Sequence, residues 1–415
     1  MSVNPLRPRP VQGLGAVAIG AEEERLVLDV LRRKELFRYY GMNPAQPPPM
    51  AAELEKEFRA WVEVDYALAV SSGTAALEVA LAAAGIGPGD EVIVTAWSWI
   101  SCFTAIVRVG ARPVLAEIDE TLNLAPQEIV RLATPRTRAV IVVHYQGVAA
   151  AMEPIMQEAH RRGIYVIEDC AQSAGVTYRG RRVGSWGDIG TFSFQNNKVM
   201  TAGEGGLLVM RDHRLYERAV RQHDLGSYRP YHAAIAPAQE PAFAGGQYRM
   251  SELTAAVALA QLRKCDAMKA HCRRLSRRVL AKIAALPGLT LRRVPDPDGD
   301  FGFELYFFLR DAEQVAAFRA DLDARNVNCG QRTGTYPHYG RDYVKTGRAQ
   351  VPALSPFREF KPWPAPGYRA EDFPRTEELT QRFVAIGIGW LYTDEDADYI
   401  GDAIVDVHAR VCGGA

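Results

Sequence analysis

At 415 residues the chain is longer than one average domain, and two domains sharing one site are expected. Lys+Arg and Asp+Glu balance at 49 each, which leaves no electrostatic case for nucleic acid or an anionic membrane. Hydrophobic residues at 48% and charged residues at 24% are the composition of an ordinary globular protein. The first residues lack the apolar core of a signal peptide, and no apolar run is long enough to span a bilayer. The cysteines at 102, 170, 265, 272, 329 and 412 form no C-x-x-C pair. Scattered thiols suit a reducing compartment better than a disulfide frame or a zinc site, so a cytoplasmic enzyme without a metal is expected.

Residues 1–20, rich in Pro and Gly, predict an extended arm. Apolar residues at Leu26, Val27, Val30 and Leu31 predict a helix over Ala21–Arg33. The aromatic segment Leu36-Phe37-Arg38-Tyr39-Tyr40 reads as packing under a loop or as a substrate-facing lip, and Pro47–Pro49 ends it. A helix over Met50–Trp61 leads to a short strand, Tyr66–Val70. That strand runs straight into Ser71-Ser72-Gly73-Thr74, which opens an alanine-rich helix to Ala84. Gly73 permits close backbone approach, and Thr74 can cap the helix or donate to a phosphate.

Strands at Val92–Thr95, Pro113–Ala116 and Ala139–Val143 alternate with helical segments, the last such helix being Glu153–Arg162. This rhythm predicts a mostly parallel sheet. Trp97-Ser98-Trp99 follows the first of these strands and offers an aromatic face for stacking. His144 ends the third and reads as structural or pocket-lining. Beyond Gly206 a strand, Leu207–Met210, and a helix, Asp212–Gln222, precede a long segment, 223–246, without a clear period. A helix from Gln247 to about Leu286 bridges to an α+β part. There Leu289–Val294 and Phe303–Leu309 predict strands, and Asp311–Arg325, Glu377–Ile386 and Asp394–Val407 predict helices. The division expected is an arm (1–20), a large domain (21–260), and a bridging helix with a small C-terminal domain (261–415).

The stretch from Ile164 to Gly206 carries the chemistry. Two apolar runs, Ile164–Ile167 and Ile189–Phe194, read as buried strands, and polar residues follow each: Asp169 and Gln172, then Ser193 and Lys198. Ligands in open α/β sheets gather at that edge. An acid, an amide, a hydroxyl and one lysine there are the parts that hold a pyridine ring and form a Schiff base with it. Pyridoxal phosphate (PLP) serves as an electron sink when its ring nitrogen is protonated, which a carboxylate such as Asp169 favours. Lys198 is the single lysine between Lys56 and Lys264, so the covalent anchor is nearly forced. The Ser72-Gly73-Thr74 turn supplies a phosphate cup.

With those residues in place, the chain resembles the DegT/DnrJ/EryC1/StrS family of PLP-dependent sugar aminotransferases. The matches are Ser-Ser-Gly-Thr-Ala-Ala-Leu (71–77), Gly-Pro-Gly-Asp-Glu-Val-Ile (87–93), Ile-Glu-Asp-Cys-Ala-Gln (167–172), Thr-Phe-Ser-Phe (191–194), Gly-Glu-Gly-Gly (203–206), Arg-Met-Ser-Glu-Leu (249–253) and Phe-Pro-Arg-Thr (373–376). The resemblance implies PLP fold type I, an α/β large domain with a mostly parallel sheet and a smaller α+β C-terminal domain. It further implies that Lys198 is the Schiff-base lysine and proton carrier and that Asp169 pairs with the pyridine nitrogen. Gln172 then lies near the ring hydroxyl, Trp99 takes the stacking position, and Gly73, Thr74 and Ser193 hold the phosphate. The family works as a homodimer, and the region around Gln247 would reach the other subunit's phosphate, although the family commonly has Asn there. Asn196-Asn197 stand before the lysine where the common family form has Pro-Thr, a change that points within the family: Glu35–Tyr39, Arg293–Asp300 and Phe373–Thr376 look most like the 8-amino-3,8-dideoxy-manno-octulosonate transaminase branch, with the glutamine:inosose aminotransferases close behind.

The resulting expectation is a two-stage transfer of an amino group from glutamate or glutamine to a keto-sugar, ulosonic acid or cyclitol. Tyr40, Arg332 and His338 are candidate substrate contacts. A sugar dehydratase on the same fold is the alternative, and Lys198 argues against it because those relatives carry His there. A catalytically silent ligand-binding regulator is the third reading, and a complete set of cofactor residues argues against that one.

Overall fold

The computed structural model describes residues 14–39, 48–329, 337–352, 355–358 and 368–413. The chain opens with α1 (Leu14–Val17), α2 (Ala21–Arg33) and α3 (Met50–Val62), then alternates β1 (Tyr66–Val70), α4 (Gly73–Ala83), β2 (Glu91–Thr95), α5 (Ser101–Arg108), β3 (Arg112–Ala116), α6 (Gln127–Leu132), β4 (Thr137–Val143), α7 (Met152–His160) and β5 (Tyr165–Asp169). A two-residue hairpin, β6 (Thr177–Tyr178) and β7 (Arg181–Arg182), precedes β8 (Ile189–Ser193) and β9 (Gly206–Met210). Helices α8 (His213–His223), α9 (Pro230–Ile235) and the long α10 (Glu252–Ile283) follow. The last part holds β10 (Thr290–Leu291), β11 (Glu304–Phe308), α11 (Ala312–Ala324), α12 (Asp342–Lys345), α13 (Pro374–Arg382), β12 (Phe383–Gly387) and α14 (Asp394–Val411). No helix among the described residues is long and apolar enough to cross a membrane.

The main sheet has the order β1-β9-β8-β5-β4-β2-β3, and β9 alone runs against its neighbours. Its strands are short apolar runs covered on both sides, as parallel sheets require. Alternate side chains serve opposite cores. Ala67, Ala69, Val140, Val142 and Val166 face the layer of α2, α3, α7 and α10, while Leu68, Val70, Ile141, Val143 and Ile167 face α4, α5 and α8. Side-chain caps start several helices: Ser72 on α4, Asp212 on α8, Ser251 on α10, Asp311 on α11 and Thr393 on α14. Each such cap contributes about 1 kcal/mol. Helix α10 serves two cores, giving Leu259, Cys265 and Cys272 to the first and Leu275, Val279 and Ile283 to that of the C-terminal part.

The mostly parallel sheet is as the sequence predicts, and four local expectations are corrected. Residues 14–17 form a helical turn rather than extended chain, and Gly15 packs against Val199, Thr201 and Gln261 where no side chain fits; the rest of the expected arm, residues 1–13, lies outside the described residues. A strand predicted over Leu289–Val294 pairs only at Thr290–Leu291. The helix predicted over Glu377–Ile386 stops at Arg382, and Phe383–Gly387 is a strand that pairs along its whole length with β11. Its Val384 and Ile386 both enter the C-terminal core, at the two-residue period of a strand. The segment 223–246 is not a plain loop, since it contains α9 and is tied down by buried polar groups.

Those ties are specific. Tyr39 Oη lies 3.1 Å from His223 Nε2 and 2.8 Å from His232 Nε2, and His232 Nδ1 lies 2.7 Å from Tyr216 Oη. Burial, with the Arg38 cation nearby, pushes the His223 pKa down to about 3 and that of His232 well below its ordinary value. Both imidazoles are therefore neutral in the folded chain. As pH falls below about 6.5 the unfolded chain takes up protons that the folded chain does not, so stability falls with falling pH. These two histidines and the equally depressed His338 predict a loss of about 3–4 kcal/mol between pH 7 and pH 5.5, read by urea unfolding. Equal stability at the two pH values would contradict this.

Beside them, Arg38 and Glu55 form an ion pair at 2.6 Å with only 1% and 4% of their side chains exposed. Arg38 also donates to Ala69 O at 2.9 Å, while Glu55 accepts from Ala69 N at 2.7 Å and from Tyr231 Oη at 3.2 Å. The pair therefore fastens the aromatic segment at Arg38 to α3, β1 and α9. Arg38→Met leaves Glu55 buried without its cation. The expected cost is about 3–5 kcal/mol in urea unfolding, and an unchanged midpoint would contradict it.

Candidate active site

The C-terminal ends of β1, β2, β4, β5 and β8 share one edge of the main sheet. Strand β1 delivers Ser72, whose hydroxyl accepts from Ala75 N at 3.0 Å and so caps α4. The next N–H groups, of Gly73 and Thr74, open the helix with its positive dipole end behind them. Gly73 lies against β8, where a Cβ would come within 2.7 Å of the Ser193 Cβ. Any larger residue there would push the helix start away from the Ser193 hydroxyl.

Asp169 is the last residue of β5 and is 5% exposed. Its Oδ1 accepts from Ala171 N at 2.9 Å, and its Oδ2 accepts from the Cys102 thiol of α5 at 2.9 Å. Lys198 lies in the turn after β8, where its N–H donates to Gln195 O at 2.9 Å and its carbonyl accepts from Gly15 N at 3.1 Å. Lys198 and Asp169 act on the same thiol. Burial and Asp169 push the Cys102 pKa up, and the Lys198 cation works the other way. The lysine, the carboxylate and the helix start thus converge on one edge.

Gln172 Oε1 accepts from Gln146 Nε2 at 2.7 Å, so the amide predicted near the ring hydroxyl is held by a second one from the β4 end. Arg292 fixes that turn, donating to Tyr145 O and Thr121 O, both at 2.7 Å. Of the two tryptophans after β2, Trp97 is 2% exposed and packs on Tyr145 with ring centroids 4.4 Å apart, while Trp99 is 47% exposed. Gln247 is exposed, and its backbone bridges Asp224. His338 is fully buried, with Nε2 3.5 Å from Ser98 Oγ and a pKa pushed down to about 3 by burial. Tyr40 and Arg332 lie outside the described residues.

His144 is part of the frame. Its Nε2 lies 2.9 Å from Glu168 Oε2, and its Nδ1 accepts from Ala150 N at 3.1 Å. Glu168 also accepts from the N–H groups of Gly184, Trp186 and Gly187 at 2.8, 2.8 and 2.6 Å. His144, Glu168 and Cys170 approach one another closely enough to suggest a metal, but these hydrogen bonds already engage the imidazole and the carboxylate.

Sequence reasoning missed Cys102, Ser101, Gln146 and the Gly15 clamp. Gln146 stood in a visible place, at the end of a predicted strand. The other three act through pairings between distant segments, which no local pattern carries.

The model of the DegT/DnrJ/EryC1/StrS aminotransferase family matches residues 46–405. The chain belongs to that family. It is 32% identical over 367 residues to the spore coat polysaccharide biosynthesis protein SpsC of Bacillus subtilis, covering 86% of this chain and 90% of that protein. It is 42% identical over 217 residues to the GDP-perosamine synthase of Caulobacter vibrioides, covering 52% of this chain and 56% of that protein. Among solved structures it superposes on Streptomyces venezuelae DesV, crystallised with a ketimine intermediate, at a TM-score of 0.77 and 30% identity, covering 96% and 98% of the two chains. A 3-amino-5-hydroxybenzoic acid synthase gives a TM-score of 0.77 at 28% identity, covering 94% and 97%. The family member described here is an aminotransferase of PLP fold type I.

Proposed function

We propose that this aminotransferase uses PLP to move an amino group from glutamate or glutamine to a keto group on a sugar, ulosonic acid or cyclitol, in the making of an amino sugar or aminocyclitol. The observation that carries the PLP assignment is a single lysine at the sheet edge where a buried carboxylate and a capped helix start also lie. The donor set fits the group at each end. Asp169 offers an anion to a pyridinium nitrogen, and Gly73, Thr74 and Ser193 offer N–H and hydroxyl groups to a phosphate. The absence of a Cβ at Gly73 keeps that cradle open. Trp99 would provide a ring face, and Gln172, steadied by Gln146, would provide an amide for the ring oxygen.

When bound, PLP supplies an electron sink to the carbon that gains or loses the amino group. Lys198 Nζ takes the proton from the donor's Cα in the first half-reaction and returns one to the acceptor carbon in the second. Asp169, held by Ala171 N and the Cys102 thiol, would pair with the ring nitrogen. The perosamine synthase relative and the polysaccharide-biosynthesis relative support a sugar acceptor. A homodimer in which the exposed Gln247 reaches the partner subunit's phosphate end completes the reading, and His338 would act from behind Ser98.

Steady-state kinetics with glutamate or glutamine against a panel of nucleotide-bound and free keto-sugars tests the proposal. Parallel double-reciprocal lines and an aminated sugar product are expected. A deoxygenated sugar released with ammonia, without any aminated product, would overturn it in favour of the dehydratase.

A further inference from the structure

The first turn of α5 touches both ends of the proposed PLP bed. At one end, Thr74 Oγ1 donates to Ser101 Oγ at 2.9 Å. At the other, the next residue, Cys102, donates its thiol proton to Asp169 Oδ2 at 2.9 Å. Consecutive residues on a helix point about 100° apart, so one turn reaches α4 with the first side chain and β5 with the second. The far end of α5 is fastened to the same helix, through Arg108 and the mostly buried Glu78 at 2.6 Å. Helix α5 is therefore tied to α4 near both of its ends and spans the distance from the helix start to the carboxylate.

The chemistry at each end is definite. Cys102 is fully buried, and burial together with Asp169 holds its pKa well above the ordinary thiol value, so the thiol is a donor and not a nucleophile. Asp169 is thus gripped by one backbone N–H on Oδ1 and by Cys102 on Oδ2. Thr74 commits its hydroxyl proton to Ser101, which leaves the Ser101 proton to be directed at an anion in the cup.

We propose that Ser101 is a further phosphate-end donor for PLP and Cys102 a positioning residue. Ser101, accepting from Thr74, directs its own hydroxyl proton at the phosphate, and Cys102 aims the Asp169 carboxylate at the ring nitrogen. This rests on the PLP reading above, and it assigns roles to two residues outside the lysine, carboxylate and helix-start set.

The test titrates PLP into the apo forms of the wild type, Ser101→Ala, Cys102→Ala and Cys102→Ser. It reads the dissociation constant, the competition by inorganic phosphate, and the position of the bound-cofactor absorption band. Thermal unfolding confirms that each variant is folded. Ser101→Ala is expected to bind PLP about tenfold more weakly, with phosphate competition weakened in proportion and the band unmoved. Cys102→Ala is expected to move the band and keep wild-type phosphate competition, and Cys102→Ser, which retains a donor, to bring the band back. Wild-type binding and spectra in both alanine variants would overturn the proposal. A Cys102→Ser band displaced as far as that of Cys102→Ala would also overturn it, since side-chain size and not the donor would then be at work. If the wild type shows no band that depends on Lys198, the PLP reading itself fails, and the wild-type spectrum alone tells that failure from the others.

Discussion

Replacing Lys198 by alanine is expected to lower amino-group transfer by about 10⁴-fold while leaving the fold in place. The loss is large because one amine serves three tasks in the proposed reaction: anchoring PLP, taking a proton from the donor, and returning one to the acceptor. No other lysine between Lys56 and Lys264 can substitute, and those flanking lysines lie on other elements, α3 and α10. The backbone bonds of residue 198, to Gln195 O and from Gly15 N, survive the change. Thermal unfolding close to wild type, with turnover near the background rate, is the expected pair of readings. Turnover within tenfold of wild type would mean that the proton moves on another group.

Asp169→Asn is expected to have the second largest effect, a fall of about 10²–10³ in turnover. The amide is nearly the same shape and can still accept from Ala171 N, so the change removes charge more than geometry. A carboxylate within a few ångströms shifts a cation's pKa by about 1–3 units, and that is the share of ring protonation the variant gives up. Since Asp169 is 5% exposed, little water reaches that position to solvate a ring cation in its place. The check is turnover at fixed pH together with PLP affinity. A variant retaining more than a tenth of wild-type turnover would mean that the ring nitrogen is not paired with this residue.

Much of the layout is legible in the sequence because it follows from local pattern. The short apolar runs at 66–70, 92–95, 164–167 and 189–194 announce the buried strands found at 66–70, 91–95, 165–169 and 189–193, and Ser72, Asp169 and Ser193 stand at or just past the ends of three of them. Lys198 stands out by isolation, and Gly73-Thr74 by its place between strand and helix. What stays hidden depends on partners far along the chain. Phe383–Gly387 reads as the end of a helix until Glu304–Phe308 lies beside it as a template. The order inside 223–246 comes from His232 meeting Tyr39 and Tyr216, one of which is nearly two hundred residues earlier. Cys102 is one unremarkable thiol among six until the fold sets it against Asp169. Trp97 and Trp99 are two residues apart and chemically alike, and only packing distinguishes the core ring from the open one.

The most direct measurement of the central claim is a single-turnover mixing experiment on the PLP-loaded protein. Glutamate and glutamine are added separately, without any acceptor, and the absorbance spectrum is followed. The account predicts that one of them converts the lysine-bound form of the cofactor into its aminated form, with release of the matching keto acid. It also predicts that Lys198→Ala shows no such conversion at a comparable rate. A spectrum unchanged by either donor, or a conversion that proceeds equally well without Lys198, would contradict it.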